Sequence, residues 1–176
     1  ASLQEHLRRR AGWRPKSTLL LHAPYVGQVV AERPAEVGQA AELLKPQAEK
    51  KGLEPMARLV GYGFAGVEPK YMGIGPVPAT RKLLERLNLS VDDIDVFEVN
   101  EAFAAQALAV AKDLGLPPEK TNPNGSGISL GHPIGATGCV ITVKALHELQ
   151  RTGGRYALVT MCIGGGQGIA AVFEKL

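Results

Sequence analysis

Between Asn122 and Gly138 the chain reads NPNGSGISLGHPIGATG, and this stretch restricts the possible folds more than any other. Gly127, Gly131, Gly135 and Gly138 carry no Cβ, so the backbone can enter conformations closed to other residues and leaves room for a ligand to approach. One histidine, His132, stands among them. Pro133 follows it and biases His132 toward extended backbone. An apolar, helix-like run continues from about Thr137 to Leu149. The turn therefore has to deliver an imidazole and several backbone amides to the entrance of a helix. That arrangement suits catalysis, although glycine-rich turns also serve other ends.

The rest of the chain predicts helices alternating with strands. Two short strand-like runs, Thr18 to Leu21 and Tyr25 to Val30, precede a helix over Glu36–Lys51 that Pro46 interrupts and Gly52 stops. Met56 to Phe64 reads as a strand, and Gly66 to Pro78 as a loop holding Met72-Gly-Ile-Gly-Pro76. Pro78 to Leu87 predicts an amphipathic helix with Leu83, Leu84 and Leu87 on one face. Ser90, Asp92 and Asp93 predict a capped turn, and Ile94 to Val99 a strand. Asn100 then stands where strand gives way to the alanine-rich helix EAFAAQALAVAKDLG, at a position suited to an N-cap. After the helix from Thr137 come a turn at Gly153-Gly154 and a strand over Tyr156–Cys162. The glycine run at 164–168 turns the chain into a last strand over Ile169–Phe173. The pattern implies an α/β layered domain with a mixed sheet of the five-stranded type covered by helices.

Composition narrows the function. A length of 176 residues with 45% hydrophobic content suits one globular domain with a real core. The net charge of +3 gives no argument for nucleic acid, and no apolar run approaches the length of a membrane span. Two cysteines, Cys139 and Cys162, with no C-x-x-C pair, argue against a disulfide framework and a cysteine-based metal site. A reducing, cytoplasmic setting is the expectation. The opening residues lack the apolar core of a secretion signal, and an organelle transit segment stays open there. The glycines do not fit a nucleotide-binding fingerprint: Leu130 stands where a third glycine or alanine is needed.

Three residues stand at junctions between elements. Asn100 reads alone as a helix cap. Cys162 reads either as a buried structural cysteine or as a tuned base or nucleophile before glycines with N–H groups to offer. Cys139, inside the apolar helix, reads as packing, and His147 as a surface residue. Together, Asn100, His132 and Cys162 belong at one edge of a layered sheet, where sites tend to form.

NEAFAAQ at 100–106, NPNGSGISLGHPIGATG at 122–138 and CIGGGQGIA at 162–170 resemble the three C-terminal signatures of the thiolases, the acetyl-CoA acyltransferases that include β-ketothiolases. MGIGPVPAT at 72–80 resembles the family's substrate-side loop, and the likeness runs from about Ala48 to Leu176. The resemblance implies Claisen condensation of acyl-CoA and its reverse thiolysis, with coenzyme A thioesters as substrates and no metal or other cofactor. It implies that Cys162 is the acid/base moving the α proton. His132 would donate to a thioester oxygen and help activate the nucleophile, and Asn100 would hold an oxyanion-hole water. The Gly164 N–H would serve a second oxyanion hole, and Met72 and Phe103 would line the acyl pocket.

The chain departs from the family in one respect. The nucleophilic cysteine of a thiolase comes from its N-terminal half, in a C-x-S-G-type motif, and these 176 residues contain none. The expectation is thus residues 36–176 as a C-terminal thiolase domain, preceded by an unmatched segment, 1–35, of foreign origin such as a shifted reading frame. Such a chain would be inactive alone, and its partners would be acyl-CoA, CoA and either further copies of itself or the missing half. The competing reading is a non-catalytic scaffold or oligomerisation domain descended from a thiolase. A decarboxylative synthase shares the layered fold but fits the CxGGG turn less well.

Overall fold

The computed structural model describes residues 55–176. The two early strand-like runs and the helix over 36–51 lie outside the described residues. The first strand, β1 (Ala57–Gly66), leads through a 3₁₀ turn (Pro69–Ile74) into α1 (Pro76–Leu87). Strand β2 (Val96–Val99) is followed by α2 (Ala104–Leu114), a second 3₁₀ turn at Pro118–Lys120, and the single-turn α3 (Gly127–Leu130). The long α4 (Thr137–Thr152) precedes the hairpin of β3 (Tyr156–Ile163) and β4 (Gln167–Lys175).

Among the described residues the sheet has four strands in the order β1-β4-β3-β2. It is mixed, as the alternating pattern predicts: β1 and β3 run antiparallel to β4, whereas β2 runs parallel to β3. The parallel pair requires a crossover, and the segment from α2 to α4 supplies it.

Period-two alternation assigns the faces. Phe97 and Val99 of β2, with Leu158 of β3, join α1 and the end of α2 in one core that includes Leu83, Leu84, Val110 and Leu114. Val96, Ala157 and Val159 turn the other way and meet Ile141, Ala145 and Leu149 of α4. The sheet thus separates α1 and α2 from α4. The leucine face predicted for α1 is correct, since Leu83 and Leu84 are buried. The helix starts earlier than expected, at Pro76, because proline suits the first helical turn, where its missing N–H has no partner to lose.

The hairpin is sharp because Gly165 and Gly166 take positive φ of 84° and 89°. Its base meets the start of α1 backbone to backbone. A Cβ built on Gly168 would lie 2.1 Å from the carbonyl carbon of Gly75. Val67 N–H also donates to Gly166 O at 2.7 Å. These contacts fasten the turn carrying Met72 beside the end of β3.

One expectation needs correction. Asn100 does not cap α2. Phe103 occupies the cap position, with φ −145° and ψ 144° and no side-chain cap hydrogen bond. Asn100 instead prolongs the parallel ladder, its N–H donating to Thr160 O at 2.9 Å, which leaves its side chain for other work. The helix packs through few of its residues, with Ala111 against the core. Gln106, Val110 and Leu114 are its buried positions, while Ala104, Ala105 and Leu108 are exposed.

Candidate active site at the ends of the parallel strands

The parallel pair ends at Val99 opposite Thr160, and the chain beyond each strand carries a residue singled out above. Asn100 is 0% exposed. Its Nδ2 lies 3.3 Å from His132 Nε2. The other ring nitrogen, Nδ1, is 2.7 Å from Thr137 Oγ1. That hydroxyl donates to Pro133 O at 3.0 Å, so toward the imidazole it acts as acceptor. His132 is therefore protonated on Nδ1 when neutral, and Nε2 accepts from the Asn100 amide. The first turn of α4 fixes the tautomer and aims a basic nitrogen at the sheet edge.

Asn100 Oδ1 is buried and has no hydrogen-bond partner among the described residues. Leaving such an acceptor unpaired costs about 1–3 kcal/mol, which marks it as the place for a donor from substrate or solvent. It faces Gly127: a Cβ there would come within 3.3 Å of Oδ1 and 2.6 Å of Glu101 O. The glycine keeps this space clear.

Cys162 is buried, at 8% exposure. It pairs with Gly168 across the hairpin, and alternation gives its side chain the face of Leu158 and Thr160. Cys162 and the Asn100–His132 pair thus share one edge of the sheet without forming one hydrogen-bonded cluster. Burial pushes the Cys162 thiol up from its ordinary value. Below that ordinary value the residue is a thiol in folded and unfolded chain alike. Above it the unfolded chain ionises first, so this contribution to stability is lost as pH rises toward the folded pKa. Alkylation of Cys162 by iodoacetamide is accordingly expected to be slow at pH 7.5, and to rise about tenfold per pH unit into the alkaline range. Peptide mass spectrometry follows it, and reaction at pH 7.5 as fast as that of an unfolded cysteine peptide would contradict it.

The other predicted positions surround this edge. Gly164 is exposed at the hairpin tip. Met72 is half-buried on the 3₁₀ turn, whose Gly73 abuts Gln106 of α2 closely enough that a Cβ would meet its Cγ at 2.7 Å. Phe103 is 63% exposed at the start of α2. Cys139 is half-buried in α4 and His147 is exposed, as read from the sequence.

Sequence reasoning missed the residues that hold the site. Asn122 Oδ1 accepts from Val99 N–H at 2.8 Å, and its Nδ2 donates to Val99 O and to Glu101 Oε1 at 2.9 and 3.2 Å. Ser126 Oγ donates to Val99 O at 3.1 Å, and Ile128 N–H donates to Glu101 Oε2 at 3.1 Å. Thr137 was visible only as the start of a helix. Its place five residues after His132 is the one signal that could have drawn attention to it.

Among the described residues no group of three histidine, cysteine or carboxylate side chains is placed to hold a metal ion, and no helix is long and apolar enough to cross a membrane. Residues 53–175 match the family model described as "Thiolase, C-terminal domain". The chain belongs to the thiolase family. It is 66% identical over 154 residues to beta-ketothiolase BktB of Cupriavidus necator, a match covering 85% of this chain and 39% of that protein. It is 50% identical to the 3-oxoadipyl-CoA/3-oxo-5,6-dehydrosuberyl-CoA thiolase of Escherichia coli, over 98% of this chain and 44% of that one. The second match, at 98% of this chain, extends into residues 1–35. The crystal structure of human mitochondrial 3-ketoacyl-CoA thiolase in complex with CoA superposes with a TM-score of 0.71 at 50% identity, covering 74% of this chain and 33% of that one. The chain thus spans less than half the length of these relatives.

Proposed function

We propose that this chain supplies the C-terminal half of an acyl-CoA C-acyltransferase active site, which catalyses thiolysis of 3-ketoacyl-CoA and the reverse condensation. The observation that carries the reading is the imidazole whose Nδ1–H is committed to Thr137, so that basic Nε2 faces the Asn100 amide at the sheet edge where Cys162 stands near the end of its strand.

In the thiolysis direction a cysteine thiol from an N-terminal half attacks the 3-keto carbon, and His132 Nε2 takes the thiol proton. The Gly164 N–H stabilises the oxyanion formed at C3; the imidazolium donates Nε2–H to the thioester oxygen, where negative charge develops as C2 leaves, and Asn100 holds the water that completes this second hole. The bond between C2 and C3 breaks, the electron pair stays on C2, and the Cys162 thiol protonates that carbon to release acetyl-CoA. Incoming CoA gives its thiol proton to the Cys162 thiolate. Its sulfur attacks the acyl-enzyme carbonyl, whose oxygen the Gly164 N–H stabilises. The nucleophilic cysteine leaves with a proton from His132. Each preorganised donor of this kind is worth roughly 3–4 kcal/mol of barrier in other enzymes. A thiol kept protonated by burial suits Cys162 to donate first and accept second.

Met72 and Phe103 line the acyl side, and the substrates are CoA thioesters with no further cofactor. The exposed apolar residues Phe103, Leu108, Ile128, Leu130 and Ile134 face the cysteine-bearing half or a second copy. A reducing, cytoplasmic setting suits chemistry that needs Cys162 as a thiol.

The test is thiolysis of acetoacetyl-CoA by the 176-residue chain alone and after addition of an N-terminal thiolase half from a relative. The expected result is no turnover alone and measurable turnover together. No turnover from a mixture shown to have assembled leaves the scaffold reading in its place. Near-native turnover by the chain alone overturns the assignment of the nucleophile to another half.

A further inference from the structure

The site described above is gripped by α4 at three levels. Thr137 holds His132, Lys144 reaches Gly125, and Glu148 Oε2 accepts from Asn124 Nδ2 at 2.9 Å. Thr137, Lys144 and Glu148 are spaced seven and four residues apart, so they share one face of the helix. The middle contact differs from the others in kind. Lys144 Nζ lies 2.7 Å from Glu98 Oε2, with the lysine side chain 16% and the carboxylate 0% exposed, and the same ammonium donates to Gly125 O. Glu98 stands on β2 two residues before Asn100, and Gly125 stands two residues before α3, the short helical turn that leads to His132.

We propose that Lys144, through Glu98 and the Gly125 carbonyl, is a positioning residue that sets the distance between the Asn100 amide and His132 Nε2. The inference rests on the reading of those two groups as catalytic. The argument is one of connectivity. Val99 and Glu101 hold the segment 122–128 through neutral or solvent-reachable hydrogen bonds. Lys144 is the largely shielded cation that joins strand, loop and helix at a single atom. The second oxygen of Glu98, Oε1, has no hydrogen-bond partner among the described residues, so no second donor there shares the task. Burial raises the Glu98 carboxyl above its ordinary range while the lysine pulls it back, consistent with a carboxylate that depends on this one partner. Removing the ammonium leaves a buried carboxylate with neither partner and frees the Gly125 carbonyl, and both changes let the loop move away from β2.

The experiment uses the whole 176-residue chain labelled with ¹⁵N, with Lys144→Met, Lys144→Arg and Arg58→Ala, the last removing a surface ion pair at the opposite edge of the sheet. Two readouts are compared: the ¹⁵N shifts of the His132 ring, which report its tautomer, and amide exchange of Leu130 and Gly131 relative to Leu158 and Val172. Lys144→Met is expected to raise loop exchange at least about tenfold over core exchange and to mix the His132 tautomers, Lys144→Arg to restore both within about threefold, and Arg58→Ala to change neither. Loop and core exchange rising by the same factor, or an unchanged His132 spectrum, overturns the proposal. If Lys144→Met does not fold, the double variant Glu98→Gln/Lys144→Met, with no buried charge, carries the same comparison. In the enzyme assembled with its cysteine half, Lys144→Met is expected to lower kcat about tenfold with KM for acyl-CoA unchanged, as befits a group acting through another. Absence of turnover in the parent assembly would count against the acyl-transfer reading alone, because the NMR comparison is made without that half.

Discussion

Replacing His132 by alanine is expected to lower kcat for acetoacetyl-CoA thiolysis by the assembled enzyme about a thousandfold. The imidazole would lose two tasks at once, taking the thiol proton and donating Nε2–H to the thioester oxygen. Both belong to the transition state rather than to substrate binding, so KM should move by less than about threefold. Replacing Asn100 by alanine should cost about a hundredfold under the proposed mechanism, in which the imidazole remains but the water of its oxyanion hole would lose its anchor. Steady-state kinetics measures both losses, and a loss below about tenfold for His132→Ala would remove it from the chemistry.

A different kind of effect is expected from Gly168→Ala. The added methyl would sit 2.1 Å from both the carbon and the oxygen of the Gly75 carbonyl and 2.5 Å from Pro76 N. All three atoms are backbone, so no side chain can rotate away. Relief requires β4 and the start of α1 to separate, at a cost of about 3 kcal/mol or more. That separation also moves the Met72 turn away from the end of β3. The urea midpoint should therefore fall steeply, and the chain is not expected to remain folded if its total stability is at the low end of the usual range. Gly164→Ala is the control. No atom lies within 4 Å of a Cβ there, so stability should change by less than about 0.5 kcal/mol. Equal midpoints for the two variants would refute the close approach of β4 to α1.

Much of the fold was legible because its signals are local. The leucines of α1 repeat at helical spacing, Gly115 and Gly153 close α2 and α4 with φ of 65° and 77°, and the glycine run at 164–168 turns β3 into β4. The candidate site was legible in part for the same reason, since Asn100, His132 and Cys162 each mark the end of a regular segment. The errors also have local causes. Asn100 has the right chemistry for a helix cap, and nothing beside it in sequence reveals that its side chain faces a histidine 32 residues away. The single-turn α3 was hidden in glycines that read as loop. The 3₁₀ turn at Pro69–Ile74 was hidden likewise.

The sequence by itself determined the alternation of helices and strands, the glycine turns, and the three residues that thiolase chemistry would use. Those features depend on backbone preference and on the identity of single side chains, both readable one segment at a time. Only the tertiary structure decided which way His132 holds its proton, that Asn100 extends a parallel ladder, and that Lys144 joins a strand, a loop and a helix. Such relations arise between groups as far as 46 residues apart. They exist only once burial has removed water as the competing partner, and for that reason no pattern along the chain encodes them.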